Sequence, residues 1–413
     1  MDWITQGLLA LGSVLLAEVV RDSYHVLAHV WGPLTRIHAI HHKVYNTNLE
    51  VLSPELYRKA HWYGDVPEAT VLVMFSLAFV FLTQAPGAWL GVAYSTSFWL
   101  SGLARANDLL KNTDLNHKSG PLTTPPSPWL VNRTYHWRHH FDDGNAYYSG
   151  VFSLVDRVMG TSISLKGKTI AITGASGALG QALMQELLKR KAKVIALTSS
   201  DWIAPEGILV KRWSIGEEQA LAELFKGVDI LVCNHGLNPH AACDWKDIEA
   251  AYAVNTFSVL KLMELFLDTV TTSRAYATKE IWINTSEAEV SPAFSPLYEL
   301  SKRSLGELVT LKRIHAPCVI RKIILGPFKS KLNPLGVMSP AWVAKMVVNL
   351  ARRDIRNIVV TINPLTYILF PLKECAAYWY YRLLTKPQAS RVGEAALTPN
   401  SSPAQQERGE EPS

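Results

Sequence analysis

The feature that most limits how this chain can fold is a change of pattern near residue 165. Before that point, strongly apolar runs alternate with basic, histidine-rich connections. After it, short apolar strands alternate with helical segments in the manner of a soluble α/β protein. A chain of 413 residues is also too long for one ordinary core, so two domains are expected. Their boundaries are placed at 1–162 and 166–362. Residues 363–386, rich in Tyr, Trp and Phe with Lys373, Arg382 and Lys386, read either as a membrane-interface helix or as a helix completing the second domain. From 387 to 413 the Ser, Pro, Gln and Glu content reads as a disordered tail.

Three runs could cross a bilayer: Ile4 to Val20, Ala69 to Leu82 and Ala88 to Ala104, the last two separated by the turn signal Pro86-Gly87. The first lacks the basic start and cleavage site of a signal peptide. Arg21, Arg36, Lys43, Arg58 and Lys59 follow the first run, and Arg105, Lys111, Lys118, Arg133 and Arg138 follow the third. The positive-inside rule then makes both histidine-bearing connections, and the second domain, cytoplasmic. The net charge of +6 is scattered beside apolar segments, which favours a membrane surface over nucleic acid as partner. Cys233, Cys243, Cys318 and Cys375 show no C-x-x-C spacing and read as reduced, buried small hydrophobes of a cytosolic compartment.

Of 13 histidines, ten precede residue 141. They form H-x-x-x-H at His25 and His29, H-x-x-H-H at His38, His41 and His42, and H-x-x-H-H again at His136, His139 and His140. Residues three and four apart share a helix face, so each group is expected to aim its rings at one point. Eight imidazoles at one membrane face make a metal cage, to which His117 is added as a ligand. His61 stays open between ligand and interfacial side chain. So many nitrogens suit two ions with vacant positions, and the count favours two iron ions over zinc. Asp142 and Asp143 are candidates to orient ligand histidines, or else a solvated loop.

These groups, followed by "NAYYSGVFSLVDRVMGT", resemble the fatty acid hydroxylase and sterol desaturase superfamily over residues 20 to 162. The resemblance implies a membrane-embedded α-helical diiron domain that hydroxylates or desaturates a lipid with oxygen. One apolar run ahead of the first histidine group is fewer than that family usually has, and the Asp pair is a second departure.

The second half opens with "KTIAITGASGALGQALMQELLKRKAKVIALTSS". A strand from Thr169 to Thr173 leads into Gly174, Gly177 and Gly180, then a helix near Ala178 and a second strand from Lys193 to Leu197. This is the layout in which a helix N-terminus meets a pyrophosphate. Tyr298 and Lys302 stand one helical turn apart in "YELSK", Ser286 ends a predicted strand, and Asn255 lies in "AYAVNTF". Together they resemble the short-chain dehydrogenase/reductase family over residues 166 to 362, with an α/β Rossmann-type doubly wound parallel sheet. An ammonium beside a phenol favours the phenolate, so Lys302 and Tyr298 are expected to form a general acid/base that Ser286 assists by holding the substrate oxygen. The resemblance further implies a relay role for Asn255 and cofactor contacts from Gly174, Ser176, Gly177, Gly180, Thr198, Ser199, Asn234, Gly236, Tyr298 and Lys302. The usual N-N-A-G stretch is here Cys233-Asn234-His235-Gly236, and Pro-Gly is inverted as Gly326-Pro327. With Thr198-Ser199-Ser200 where an acidic residue would mark NAD, the cofactor is read as NADP, or NAD.

The combined expectation is a bifunctional lipid oxidoreductase: a diiron hydroxylase or desaturase whose product is interconverted with a carbonyl by the fused dehydrogenase. A separate one-electron donor protein would reduce the irons, since the chain has no cysteine cluster and no second nucleotide fingerprint. Two alternatives stand beside it: a histidine domain without oxygen chemistry, or a Rossmann domain that only regulates.

Overall fold

The computed structural model describes residues 2–110 and 114–386. Asp2 caps the first helix, α1 (Trp3–Val30), which runs ten residues beyond the apolar stretch and so carries His25 and His29 on its last turns. Gly32 and Pro33 then open α2 (Gly32–His42). α3 (Pro54–Ala60) continues through a π turn at His61–Asp65 into α4 (Val66–Thr83), and α5 (Trp89–Ala106) returns beside it. Small polar side chains let these helices approach closely: Ser76 and Ser95 share a hydrogen bond of 2.9 Å, and the Gly91 amide donates to Ser13 Oγ at 2.9 Å. Trp3–Val30 and Pro54–Thr83 are long and apolar enough to cross a membrane. The run Ala88–Ala104 is helical as expected, but Tyr94, Ser95, Thr96, Ser97 and Ser101 leave α5 outside that set. The third run that qualifies by composition, Trp245–Leu267, lies in the other domain, where half of it is buried.

Two short helices close the histidine domain, α6 (Arg133–Phe141), capped by Asn132, and α7 (Leu154–Met159). Beyond them the chain builds a seven-stranded sheet in the order β3-β2-β1-β4-β5-β6-β7, with every neighbouring pair parallel. The strands are β1 (Thr169–Thr173), β2 (Lys193–Thr198), β3 (Leu209–Arg212), β4 (Ile230–Cys233), β5 (Glu280–Asn284), β6 (Val319–Leu325) and β7 (Asn357–Val360). The connecting helices are α8 (Ala178–Lys189), α9 (Ala222–Lys226), α10 (Trp245–Tyr252), α11 (Val259–Leu267), α12 (Ser273–Thr278), α13 (Pro296–Arg313) and α14 (Pro340–Arg352). α15 (Pro364–Leu384) follows the last strand.

Alternation along the strands sorts their side chains into two cores. Ile170 and Ile172 pack with Leu183, Leu187, Val343 and Val347 from α8 and α14. Ala171, Leu231 and Ile283 turn to the other face, against Leu262, Phe266 and Leu305 from α11 and α13. That second core also takes in Val44, Tyr45, Leu49, Leu122 and Trp137, so the histidine domain and the sheet share one apolar interior.

The contact between the domains is made at the end where the strands begin. Arg138 of α6 pairs with Glu280, the first residue of β5, while Arg321 of β6 pairs with both Glu280 and Asp354, and Arg157 of α7 reaches Asp354. The glycine loop leaves β1 at its opposite end. The sheet therefore stands between the histidines and the nucleotide loop, despite the short link from Thr161 to Lys166.

Cys233 and Cys318 are buried, as expected, whereas Cys243 and Cys375 are exposed. Cys243 lies in the loop ahead of α10, and Cys375 sits on the outward face of α15. The expected disordered tail, 387–413, lies outside the described residues.

Candidate active site and histidine centre

The loop after β1 turns through Gly174 at φ +61°, where a Cβ would press on the backbone of His235. Gly180 lets the start of α8 sit directly on the Gly174 carbonyl. Asn234 ties the loop to the next strands: its Nδ2 donates to Gly174 O at 3.3 Å, and its Oδ1 accepts from Asn284 at 2.6 Å. At the end of β2 the hydroxyls of Ser176, Thr198 and Ser200 form a triangle with each side 3.0 Å. Ser199 and Ser200 are both exposed, and it is Ser200 that joins the triangle.

Asn255 lies in a π turn (Ala253–Ser258) between α10 and α11, the kind of one-residue insertion that re-aims a side chain. It is fully buried, exchanges two hydrogen bonds of 2.8 Å with the Leu237 backbone, and donates to Ser301 Oγ at 3.0 Å. Gly236 packs beside Asn255 and Lys302, where a side chain would intrude. On α13, Lys302 Nζ donates to the Asn284 carbonyl at 3.1 Å. The Ser286 hydroxyl accepts from the Ala288 amide at 3.2 Å and lies beside the Tyr298 phenol. Burial raises Tyr298 above its ordinary value, with the Ser286 contact opposing, and burial lowers Lys302 to about 8 against the pull of Cys233 and Glu289. Desolvation is the larger influence on both groups.

The histidines converge on two points. His25, His29, His38 and His139 form one quartet and His41, His117, His136 and His140 the other, the ligand nitrogens of each lying within 4.8 Å of one another. His42 Nε2 stands 3.1 Å from His38 Nε2 at the edge of the first. Each H-x-x-H-H group is split between quartets, rather than aimed at one point as the spacing suggested. Burial holds His136, His139 and His140 well below the usual imidazole range, in the neutral form that binds metals.

Backbone and carboxylate acceptors orient the rings. His25 Nδ1 meets Tyr148 O at 2.6 Å, His139 Nδ1 meets Ala146 O at 2.8 Å, and His117 Nδ1 meets Asp114 Oδ2 at 2.6 Å. Asp114 was not foreseen, although its place three residues before His117 is a usable signal. Asp142 and Asp143 do not orient histidines: Asp142 accepts from Tyr147 and Lys168, and Asp143 accepts from Ser164. His61 pairs with Asp65 at 2.6 Å and belongs to neither quartet. A cavity of about 580 Å³ opens onto the quartets between α1, α4 and α5, with Arg21, Asp22, Glu68 and Arg105 in its wall.

The pattern of the NAD dependent epimerase/dehydratase family matches residues 170–334. A monoglucosyldiacylglycerol epimerase from Synechocystis sp. (strain ATCC 27184 / PCC 6803 / Kazusa) is 56% identical over 406 residues, which cover 94% of this chain and 99% of the relative. Among solved structures, a short chain dehydrogenase from Burkholderia cenocepacia J2315 in complex with NADP is similar at 20% identity, covering 54% of this chain and all of its own, with a TM-score of 0.43. An aldohexose dehydrogenase from Thermoplasma acidophilum is similar at 15% identity, covering 49% and 95%, with a TM-score of 0.41. Both likenesses are too loose to carry an argument.

The full-length relative overturns the expected chemistry. Its match takes in the histidine domain as well as the sheet, and its activity is an epimerisation. The reading of this chain as a diiron lipid hydroxylase or desaturase fused to a dehydrogenase therefore falls, and with it the resemblance of residues 20 to 162 as a guide to activity. Histidine spacing reports a cage, and cages of this kind do not specify a reaction. What stands is a Rossmann domain of the NAD(P)-binding type in a larger chain. The chain belongs to the family of that monoglucosyldiacylglycerol epimerase.

Proposed function

We propose that this chain is an NADP-dependent epimerase that inverts one hydroxyl-bearing carbon in the sugar head group of a glucosyl diacylglycerol. The observation that carries the reading is similarity to such an epimerase along 94% of the chain. The site around Tyr298 offers the matching chemistry. When bound, the nicotinamide supplies a hydride acceptor that is also the donor on return. Tyr298 takes the proton from the carbinol oxygen as the carbonyl forms and gives it back after the ring has turned its other face to the cofactor. Ser286, beside Tyr298, would hold the same oxygen, while Lys302, one helical turn on and bound to the Asn284 carbonyl, and the buried Asn255 complete the polar site. The hydride removed is the hydride restored, so substrate and product are isomers and no external electron donor is required.

NADP is favoured by the Ser176, Thr198 and Ser200 hydroxyls, which can donate to a ribose phosphate, while the adjacent Asp201 carboxylate is paired with Arg212. The two quartets are read as sites for divalent first-row transition ions. All-imidazole donor sets suit several such metals, and they supply no step of the epimerisation. The histidine connections and the Rossmann domain are read as lying on the cytoplasmic side of the bilayer.

The test uses the full chain in lipid vesicles with monoglucosyldiacylglycerol and NADP. The head group should be converted to an epimer with no net accumulation of reduced nucleotide, and with no solvent deuterium at the inverted carbon. Stoichiometric nucleotide reduction, or an unchanged head group, would overturn the reading.

A further inference from the structure

α15 packs against α13, the helix that carries Tyr298 and Lys302, through one face only. Thr366, Phe370 and Glu374 are buried there, and Glu374 accepts from Lys322 at 2.7 Å and from Arg313 at 3.0 Å. The opposite face shows Leu365, Leu369, Leu372, Trp379 and Leu383, all exposed, at spacings of four, three, seven and four. That is an uninterrupted apolar stripe along a helix of 21 residues, or about 31 Å at 1.5 Å each.

Both ends of the stripe meet further exposed apolar groups. At its start, Asn363 donates to Ser291 Oγ at 3.3 Å, which joins α15 to the loop leading into α13. In that loop Phe294 is 99% exposed at φ +57°, four residues ahead of Tyr298. Leu335, 90% exposed, and Val337 project from the loop after β6. At the other end, Arg313 holds Asn357, and the adjacent Arg356 donates to the Pro126 carbonyl of the histidine domain. Arg157 lies over the Trp129 ring and pairs with Asp354. Trp129, Leu130 and Val158, all exposed, therefore lie on the β7 side of the sheet, the side that α15 flanks. The domain that supplies them also contains Trp3–Val30 and Pro54–Thr83, long and apolar enough to cross a bilayer. Among the described residues, the exposed charges bordering the surface, Lys329, Lys331, Arg382 and Lys386, are basic, which complements an anionic lipid surface.

We propose that the β7 edge is a bilayer-docking surface in which α15 lies in the interface, bringing the mouth of the Tyr298 site to the head-group layer. A glycolipid can then present its sugar to the nicotinamide while its acyl chains stay in the membrane. This second part rests on the epimerase reading; the docking itself does not.

The experiment uses the full chain with Cys243→Ser, so that Cys375 on α15 is the exposed native thiol, labelled with an environment-sensitive fluorophore in vesicles containing anionic lipid. Further variants place the label by Leu372→Cys in the stripe and by Lys189→Cys on α8, each with Cys375→Ser. Lipids bearing a nitroxide near the head group should quench positions 372 and 375 and leave 189 bright. Adding Leu365→Glu and Leu369→Glu should abolish quenching at Cys375 while NADPH binding, which reports folding, persists. Equal quenching at all three positions, aqueous iodide reaching 372 and 375 as readily as 189, or protection of the stripe in a detergent-solubilised dimer would overturn docking to lipid. Quenching at 372 and 375 in a protein that epimerises no glucolipid would support the surface and sink the proposed function.

Discussion

Arg138 and Glu280 form a buried ion pair, 3.2 Å from Nη2 to Oε1, between the helix that carries three of the clustered histidines and the first residue of a central strand. Glu280 also binds Arg321 through Nε at 2.9 Å and Nη2 at 3.1 Å. One carboxylate thus pairs with two guanidinium groups at the seam between the domains, and Asp354 supplies a second negative charge to Arg321.

Replacing Glu280 by Ala would leave Arg138 and Arg321 buried, with only Asp354 to balance Arg321. Breaking a buried pair in this way costs about 3–5 kcal/mol, and chemical denaturation should show a loss of that order. Acid adds a second signature. Burial would raise the Glu280 carboxyl, but Arg321 and Arg138 overcome it and hold the group at about 2 against an ordinary 4.5. A depressed carboxylate contributes stability that is complete above the unfolded value and lost as pH falls through the folded one. The wild type should therefore lose stability more steeply than Glu280→Gln between those two values. Parallel acid curves would mean that water reaches the seam.

Lys302 gives the opposite sign. Burial, partly offset by Cys233 and Glu289, takes its ammonium from 10.5 to about 8. The folded state then binds fewer protons than the unfolded chain between those values, so its stability rises with pH across that window and the burial is most costly below it. Without cofactor, Lys302→Met should gain relative to wild type by up to about 3 kcal/mol below pH 8, less the lost hydrogen bond to Asn284, with the advantage shrinking toward pH 10.5. Thermal melts at several pH values test this. A mutant-to-wild-type difference independent of pH would show that the amine is solvated.

Much of this arrangement is legible in the chain itself. Thr169 to Thr173, the three glycines and the helix from Ala178 lie where the sequence put them, because strand, turn and helix signals there are local and agree. The Tyr298 and Lys302 spacing is equally local. The histidine groups announced a cage, but not its division. His139 and His140 are neighbours on a helix, about 100° apart, so one turns to His25 and the other to His41. Which distant ring each meets depends on packing between α1, α2 and α6, and no spacing within one segment encodes that. Arg138 and Glu280 are 142 residues apart and acquire meaning only as a pair. The reaction was the least legible part, since imidazole spacing reports ligation and says nothing about which bond is made or broken.

Asp114 offers a way to test the histidine centre without removing a ligand. Its carboxylate accepts the Nδ1 proton of His117, which fixes Nε2 of that ring toward the second quartet. Partners of this kind typically contribute 10–100-fold in metal affinity, on the order of 1–3 kcal/mol. Asp114→Asn should release metal from the second quartet at correspondingly lower chelator concentration, measured by elemental analysis after dialysis, and should leave nucleotide affinity unchanged. Asp143→Asn is the contrast, since Asp143 binds Ser164 and no histidine. If both variants hold metal as tightly as wild type, Asp114 does not set the affinity of the second quartet.

Three hydroxyls beside the glycine loop bear on which nucleotide the Rossmann domain takes. Ser176 comes from the glycine loop, whereas Thr198 and Ser200 come from the end of β2, and their three hydroxyls lie 3.0 Å apart in a closed triangle. In folds of this type the end of the second strand meets the adenosine ribose, where a carboxylate would grip the 2′-hydroxyl of NAD and repel the 2′-phosphate of NADP. Hydroxyls can each turn a proton toward phosphate oxygens, and a triangle of them can do so together. Ser200 is exposed, so replacing it tests the triangle without opening the core. Ser200→Asp places a negative charge against the phosphate and should weaken NADPH at least about tenfold, or about 1.4 kcal/mol. NADH, lacking that phosphate, should bind as well or better. Fluorescence titration of the two reduced nucleotides reads both constants. A variant that loses both equally has damaged the loop, and one that keeps NADPH at full strength would place the phosphate away from the triangle.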